Sequence, residues 1–363
     1  MKKLYIIGIC FLLLGSKLSA QHRESQNIFD KLLWDDKMLN VMVDTRVDFQ
    51  TEFRSSDLQS ASFRAQTIKL WLVGEIIPGI RYRFRYRLNK PQTPLIRDNY
   101  GSNVDHAWIA FDAGKNFTFT VGRQSVQLGT YEYDYNGADI YQSTMVNGDF
   151  DLYKTGINVA YRFAGQVMNF QVVNSDAPQF ASEEYKNKAI AMNLLWQGSL
   201  FNNVLNTRWG YGAFQHTKSK FYNWFTAGTQ IHVGDFTTEL DYFYGARNMD
   251  YSSVVSVDSL GNRYVQDQSV SVNIKYNFGK WRPFVKGIWS LRHDKDYDRD
   301  AYQMSGIQGV IEYYPFENPL IKNLRFHLAY AYGNTGFKGE FGSLTDQHTH
   351  TLLIGMRWLF KVK

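Results

Sequence analysis

Apolar and polar residues alternate in segment after segment from residue 39 to the C-terminus. Period-two alternation marks a β-strand with two unlike faces. Val41, Val43, Val47 and Phe49 alternate with Asp44, Arg46 and Asp48, and Ile68, Leu70 and Leu72 with Lys69 and Trp71. Further segments cover 80–88, 107–111, 117–121, 153–162, 168–172, 190–196, 209–213 and 225–233. The last six are 239–244, 270–278, 285–291, 307–313, 324–332 and 352–360. The pattern predicts an all-β chain, and the count of about sixteen strands suits a transmembrane antiparallel β-barrel with both ends on one side.

The segment Ile80-Arg-Tyr-Arg-Phe-Arg-Tyr-Arg-Leu88 determines which face looks inward. Alternation puts Arg81, Arg83, Arg85 and Arg87 on one face and the rings on the other. Arginines turned to lipid would cost about 2–4 kcal/mol each near the midplane. Four would cost on the order of 10 kcal/mol, comparable to the net stability of a domain. The arginines therefore face a watery lumen and the rings face lipid.

Connection lengths agree. Short links at 77–79, 113–116, 164–166, 234–235 and 279–280 alternate with longer ones at 89–103, 122–149, 174–187, 248–267, 292–301 and 333–347. Short periplasmic turns opposite long extracellular loops are the barrel pattern. The link 198–206 is long for a turn and 217–221 is short for a loop. The final strand ends Trp358-Leu-Phe360, similar to the aromatic assembly signal of outer-membrane barrels, with three residues beyond it.

The N-terminus changes the compartment. Lys2 and Lys3 precede the apolar run Leu4–Leu14, and Ser19-Ala20 precede Gln21. This pattern predicts a signal peptide over 1–20, cleaved after Ala20, and export to the outer membrane. Residues 21–38 lack alternation and are expected to form a short periplasmic segment before a barrel over 39–363. The single cysteine, Cys10, lies within the signal, so the exported chain has no thiol chemistry. Without Lys2, Lys3 and Lys17 the formal charge falls from +6 to +3. That balance, with a signal peptide, excludes nucleic acid as a partner.

Candidate chemistry centres on the arginine face. Pairing of the strand before it with 80–88 sets Ile76 opposite Ile80, Glu75 opposite Arg81, Trp71 opposite Arg85 and Lys69 opposite Arg87. Glu75 is expected to neutralise Arg81, and Trp71 to stack on Arg85. Arginines about 7 Å apart along a strand form a ladder along which an anion passes between sites. The competing reading is a polar wall paired with lumenal acids such as Asp44, Asp48, Glu239 or Asp241. The connection 122–149 is the longest, and after Arg123 it carries Glu132, Asp134 and Asp139 but no Lys or Arg. Gly122, Gly156, Gly210, Gly212, Gly228 and Gly355 stand at or near lumen-facing positions, which favours an open bore.

The strand Asp105-His-Ala-Trp-Ile-Ala-Phe-Asp112 and the loop entry Val121-Gly-Arg-Gln-Ser-Val-Gln-Leu-Gly129 resemble the phosphate-selective porin O and P family. The resemblance spans most of the exported chain. It implies a passive channel, commonly a homotrimer, that guides small anionic or polar solutes, phosphate among them. It assigns the ladder to Arg81, Arg83, Arg85 and Arg87, with Lys69 and Trp71 beside it. The loop resembles the third loop of porins, which folds inward and narrows the bore, so Glu132, Asp134 and Asp139 would shape a constriction opposite the ladder. Acids there imply a weakly anion-favouring eyelet rather than a phosphate trap. Outer-membrane lipid and lipopolysaccharide complete the expected partners.

Other signals carry less. Asp294, Asp296, Asp298 and Asp300 alternate in a loop, but Arg299 and Ser305 break a calcium-loop pattern. His348 and His350 share a face without a third ligand for zinc. No cofactor or metal is expected. His216, His232 and His327 belong to no hydrolase signature, so an enzyme is not expected. A barrel lipase or protease, or a closed structural or adhesin barrel, are the alternatives.

Overall fold

The computed structural model describes residues 38–90, 98, 100–150, 152–250 and 262–362. The expected signal peptide and the segment 21–38, Met38 apart, lie outside these residues. The chain forms sixteen antiparallel strands: β1 Asn40–Arg54, β2 Asp57–Ile77, β3 Ile80–Arg87, β4 Val104–Ala113, β5 Phe117–Ser125, β6 Tyr153–Phe163, β7 Gln166–Asn174 and β8 Ile190–Leu200. They continue as β9 Leu205–Gln215, β10 Phe221–Val233, β11 Phe236–Asp250, β12 Asn262–Tyr276, β13 Trp281–Asp294, β14 Arg299–Tyr313, β15 Arg325–Phe337 and β16 Gln347–Lys361. Each strand pairs with its sequence neighbours, and β1 pairs with β16 to close the barrel. Closure leaves no sheet edge, as a strand-built membrane span requires. No helix among the described residues is long and apolar enough to cross a membrane.

The two faces separate as the alternation predicts. Outward positions carry the exposed apolar residues, such as Phe170, Leu194, Leu240, Ile274, Ile307 and Ile354. Aromatic pairs ring the turn end on this face: Phe117 with Tyr161, Phe236 with Tyr276, Trp281 with Tyr313, and Trp358 with Phe360. Inward positions are polar yet buried, among them Asp44, Arg46, Gln171, Asp241 and Gln308. At such sites, charge is tolerated only when paired. Asp267 shows how: it sits between Arg247 and Arg292, each of the three fully buried.

The register of β2 on β3 follows the expectation at Glu75–Arg81, Trp71–Arg85 and Lys69–Arg87. It departs at the turn, where Ile77 rather than Ile76 faces Ile80 and Ile76 is bulged out. The cause is a tight Pro78-Gly79 turn, with Gly79 at φ 86° and its N–H donated to Glu75 Oε1 at 2.8 Å. The β1–β2 hairpin also runs further than its alternation indicates, to a two-residue turn at Ser55-Ser56. Residues 57–66 are polar or small except Leu58 and Phe63, so no apolar stripe marks that extension.

Candidate functional site

The connection after β5 turns inward and crosses the lumen. Gly129 at φ 100° and Thr130 at φ 68° make the bend. Short helical turns follow: α1 Tyr131–Asp134, a 3-10 turn Gly137–Asp139, and α2 Met145–Asp149. Each begins at a side-chain cap, from Thr130, Asn136 and Thr144 in turn. The segment reaches opposite walls. Asn136 bridges Lys69 Nζ and Asp44 Oδ2 at 2.6 Å each on one side. On the other, Asp241 accepts the backbone N–H groups of Tyr131 and Glu132 at 2.8 and 2.7 Å.

Glycines in the wall make room for this strap. A Cβ on Gly210 would lie 2.1 Å from the Leu128 carbonyl oxygen, and one on Gly228 would lie 2.6 Å from Thr130 Cα. Gly212 faces Asn193 and Phe214, and Gly355 admits the Asp48 carboxylate. Cβ atoms on Gly122 and Gly156 would strike the backbones of Ala107 and Val172. The expectation that these glycines leave an open bore is therefore corrected: they permit close approach of backbone and side chains. Around the strap the loop-end lumen is apolar, with Leu128, Phe150, Phe180, Phe214 and Trp224 in one cluster and Met145, Tyr302, Phe337 and Phe341 in another.

The three loop acids do not face the arginine ladder; wall cations elsewhere hold each one. Glu132 is buried, accepting from Lys286 Nζ at 2.6 Å and from Thr144 N and Oγ1 at 2.8 and 2.5 Å. Asp134 pairs with Arg208 at 3.1 Å. Asp139 pairs with Arg325 at 2.7 Å and with Arg357. Burial pushes the Asp139 carboxyl up, but Arg357 and Arg325 outweigh it and pull it down to about 2 from 3.8. A depressed folded-state value means the pairing is complete above the ordinary carboxylate range and lost as pH falls through about 2. Asp139 is therefore expected to keep its pairing, and its contribution to the conductance of the reconstituted protein, down to about pH 3 and to lose it below. A conductance transition centred near pH 4 that Asp139→Asn abolishes would show Asp139 unpaired. Beside it, the Tyr135 phenol is pushed well up by burial and by Glu239, which it contacts together with Lys275.

The ladder side chains share the lumenal face, but each has partners. Arg81 pairs with Asp112 at 2.6 Å, correcting the expected neutralisation by Glu75, whose carboxylate is taken by the Gly79 N–H. Arg83 lies over the rings of Trp71 and Trp108, 5.8 and 5.3 Å from their centroids. Arg85 stacks on Trp71 at 4.7 Å as expected, and pairs with Asp105 at 2.9 Å. Arg87 shares Asp105 at 2.7 Å. Of the wall acids proposed for this role none serves: Asp44 holds Arg357, Asp48 holds Arg46 and His327, Glu239 holds Lys275, and Asp241 caps the strap. Asp105 and Asp112 come instead from the adjacent strand β4.

A cavity of about 500 Å³ opens beneath the strap toward the turn end, against β8 to β16. Cations Arg208, Lys275, Arg282, Lys286, Arg325 and Arg357 line it, with carboxylates Asp134, Asp139, Glu239 and Glu312. Arg81, Arg83, Arg85, Arg87, Lys69, Trp71 and Glu132 are not among its lining residues. Arg282 lies 4.3 Å over the Tyr314 ring and pairs with no carboxylate among the described residues. Sequence reasoning put none of these six cations forward as a site residue. Strand parity was the signal: Arg208, Lys286 and Arg357 alternate with outward residues in their strands.

A closed sixteen-strand membrane barrel with a charged, strapped lumen defines the porin class of outer-membrane channel. The chain belongs to the phosphate-selective porin O and P family, whose sequence profile matches residues 39–360. No curated protein matches it by sequence. Among solved structures, the outer-membrane channel DcaP of Acinetobacter baumannii aligns with a TM-score of 0.60 at 12% identity, covering 89% of this chain and 96% of that one. The Vibrio cholerae outer membrane protein OmpT aligns at 0.59 and 12%, covering 89% and 97%. An anion-selective porin from Comamonas acidovorans aligns at 0.56 and 10%, covering 89% and 99%. At these identities the likeness is one of fold.

Proposed function

We propose that the barrel is a passive diffusion channel favouring small anionic and polar solutes, narrowed by the strap and entered from the turn end through the cationic vestibule. The observation that carries this reading is the Arg282 guanidinium, which lines the vestibule over the Tyr314 ring and has no carboxylate partner among the described residues. The ladder, Lys69 and Trp71 contribute a positive wall rather than a binding site, because Arg81, Arg85 and Arg87 are ion-paired. Phosphate then passes as one anion among several. A signal peptide over 1–20, contact with lipopolysaccharide and a homotrimeric assembly belong to the same proposal; OmpT of Vibrio cholerae has a trimer form, and the Comamonas porin is anion-selective.

Purified protein in a planar bilayer should give discrete conductance steps with a chloride-favouring reversal potential. Arg282→Gln should move that potential toward cations by more than Arg81→Gln does. A larger shift from Arg81→Gln would return the solute path to the ladder. The apolar clusters at the loop end favour a second reading, a barrel closed on that side with a structural role. The absence of any steps would select it.

A further inference from the structure

The outward face of β16 begins, at the loop end, with two histidines that neither the strap nor the vestibule uses. His348 and His350 share the strand parity of Leu352, Ile354 and Met356, which are exposed on the lipid side. Ten positions separate His350 from Phe360 in the turn-end aromatic ring. At about 3.4 Å per residue and a strand tilt near 40°, that is about 26 Å along the barrel axis, the height of an apolar band. The histidines therefore stand at the headgroup level of the leaflet on the loop side.

Two tyrosines of β15 hold the imidazoles. Tyr332 lies opposite His350 in register, with ring centroids 5.1 Å apart, and its hydroxyl bonds His348 Nδ1 at 2.9 Å. The Tyr330 hydroxyl bonds His350 Nδ1 at 2.7 Å. Each neutral pair owns two protons, one on the imidazole and one on the phenol, and their mutual bond uses one. Whichever tautomer is present, the other proton is left to donate: from Nε2 when the phenol donates, from the phenol when Nδ1 does. Neither Nε2 atom is buried. By register, Phe53 and Arg54 of β1 face His350 and Thr349, and Glu52 on the same strand is held by Arg64 at 3.4 Å. The described residues offer no third metal ligand beside the pair, so the chemistry on display is that of hydrogen-bond donors.

We infer that His348 and His350, with their tyrosines, seat the phosphate of an outer-leaflet headgroup, the phosphorylated sugar of lipopolysaccharide. Donors about 7 Å apart along a strand both reach one phosphate through bonds of about 2.8 Å. Arg54 adds positive charge at the same rim, and the exposed rings of Tyr330 and Phe53 offer apolar surface to acyl chains. Long loops mark this end as the extracellular one, where the leaflet supplies lipopolysaccharide. The inference rests on the proposed contact with lipopolysaccharide, and the experiment separates the two.

Detergent-solubilised protein is titrated with bis-phosphorylated lipid A, dephosphorylated lipid A and phosphatidylglycerol, and bound lipid is counted by native mass spectrometry. Bis-phosphorylated lipid A is expected to bind about tenfold more tightly than either control. The double variant His348→Leu with His350→Leu keeps an apolar outer surface and should weaken that binding about tenfold, ~1.4 kcal/mol. It should leave the dephosphorylated lipid unaffected. His348→Gln with His350→Gln keeps side-chain donors and should recover part of the loss. Unchanged affinity in the leucine variant overturns the site while leaving the lipopolysaccharide contact standing. Absence of lipid A binding by the unaltered protein overturns both. Equal affinity for phosphatidylglycerol overturns the assignment to lipopolysaccharide. A smaller oligomer in the leucine variant, at unchanged lipid affinity, would make the face a contact between copies of the chain and overturn the inference as well. Heat-shifted gel mobility of each variant reports that the barrel has folded.

Discussion

Replacing Glu132 by alanine is expected to release the strap and raise single-channel conductance several-fold. The Glu132 carboxylate closes the strap on itself through Thr144 N and Oγ1 and fastens it to the wall through Lys286, which is 7% exposed. Removing the carboxylate leaves the buried lysine with only the Gln142 carbonyl, at 2.9 Å, a loss of about 3–5 kcal/mol for a buried ion pair. Other wall contacts act at other points, among them Asp241 on the backbone of Tyr131 and Glu132, Asp139 on Arg325 and Arg357, Asn136 on Lys69, and Arg46 on the carbonyls of Ala138 and Ile140. Glu132→Gln keeps acceptor capacity for Thr144 but not the charge, so its rise in conductance should be smaller. Adding Asp139→Asn to Glu132→Ala should widen the bore further. Conductance unchanged in the double variant would show that segment 131–144 does not set the bore.

How much of this was legible can be judged residue by residue. Alternation named all sixteen strands, because a membrane barrel must bury one face in lipid and the other in the lumen wherever it crosses. It failed on the first hairpin, where residues 57–66 form paired strand without an apolar stripe. Local pairing was readable too: one turn, Pro78-Gly79, sets the register of β2 against β3. Long-range partners were not. Asp105 and Asp112 reach the ladder from β4, and the loop acids reach cations on β9, β13, β15 and β16. No spacing rule connects residues that only barrel closure and an inward strap bring together. The glycines were placed on the correct face but read for the wrong purpose. A missing side chain leaves space, and only the path of the strap shows what occupies it.

The same long-range pairing carries the largest stability effect. Asp267→Ala should lower the temperature at which the folded band is lost by heat-shifted electrophoresis more than any single change in the ladder. Asp267 accepts from Arg247 Nε at 2.7 Å and from Arg292 Nε and Nη2 at 2.8 Å each, with all three side chains at 0% exposure. Its removal takes the carboxylate they share from two guanidinium groups that water does not reach. Breaking one buried pair costs about 3–5 kcal/mol, and here one carboxylate serves two cations. Arg81→Gln is milder, because Arg81 and Asp112 are 26% and 30% exposed and water screens what remains. The charge account makes a second demand. Replacing Arg247, Asp267 and Arg292 together by Met, Leu and Met removes the desolvated charges along with their attraction, so this triple variant should hold to a higher temperature than Asp267→Ala alone. A triple variant that melts as early as the single one would mean that the triad acts through packing shape. Conductance should be unchanged in the triple variant.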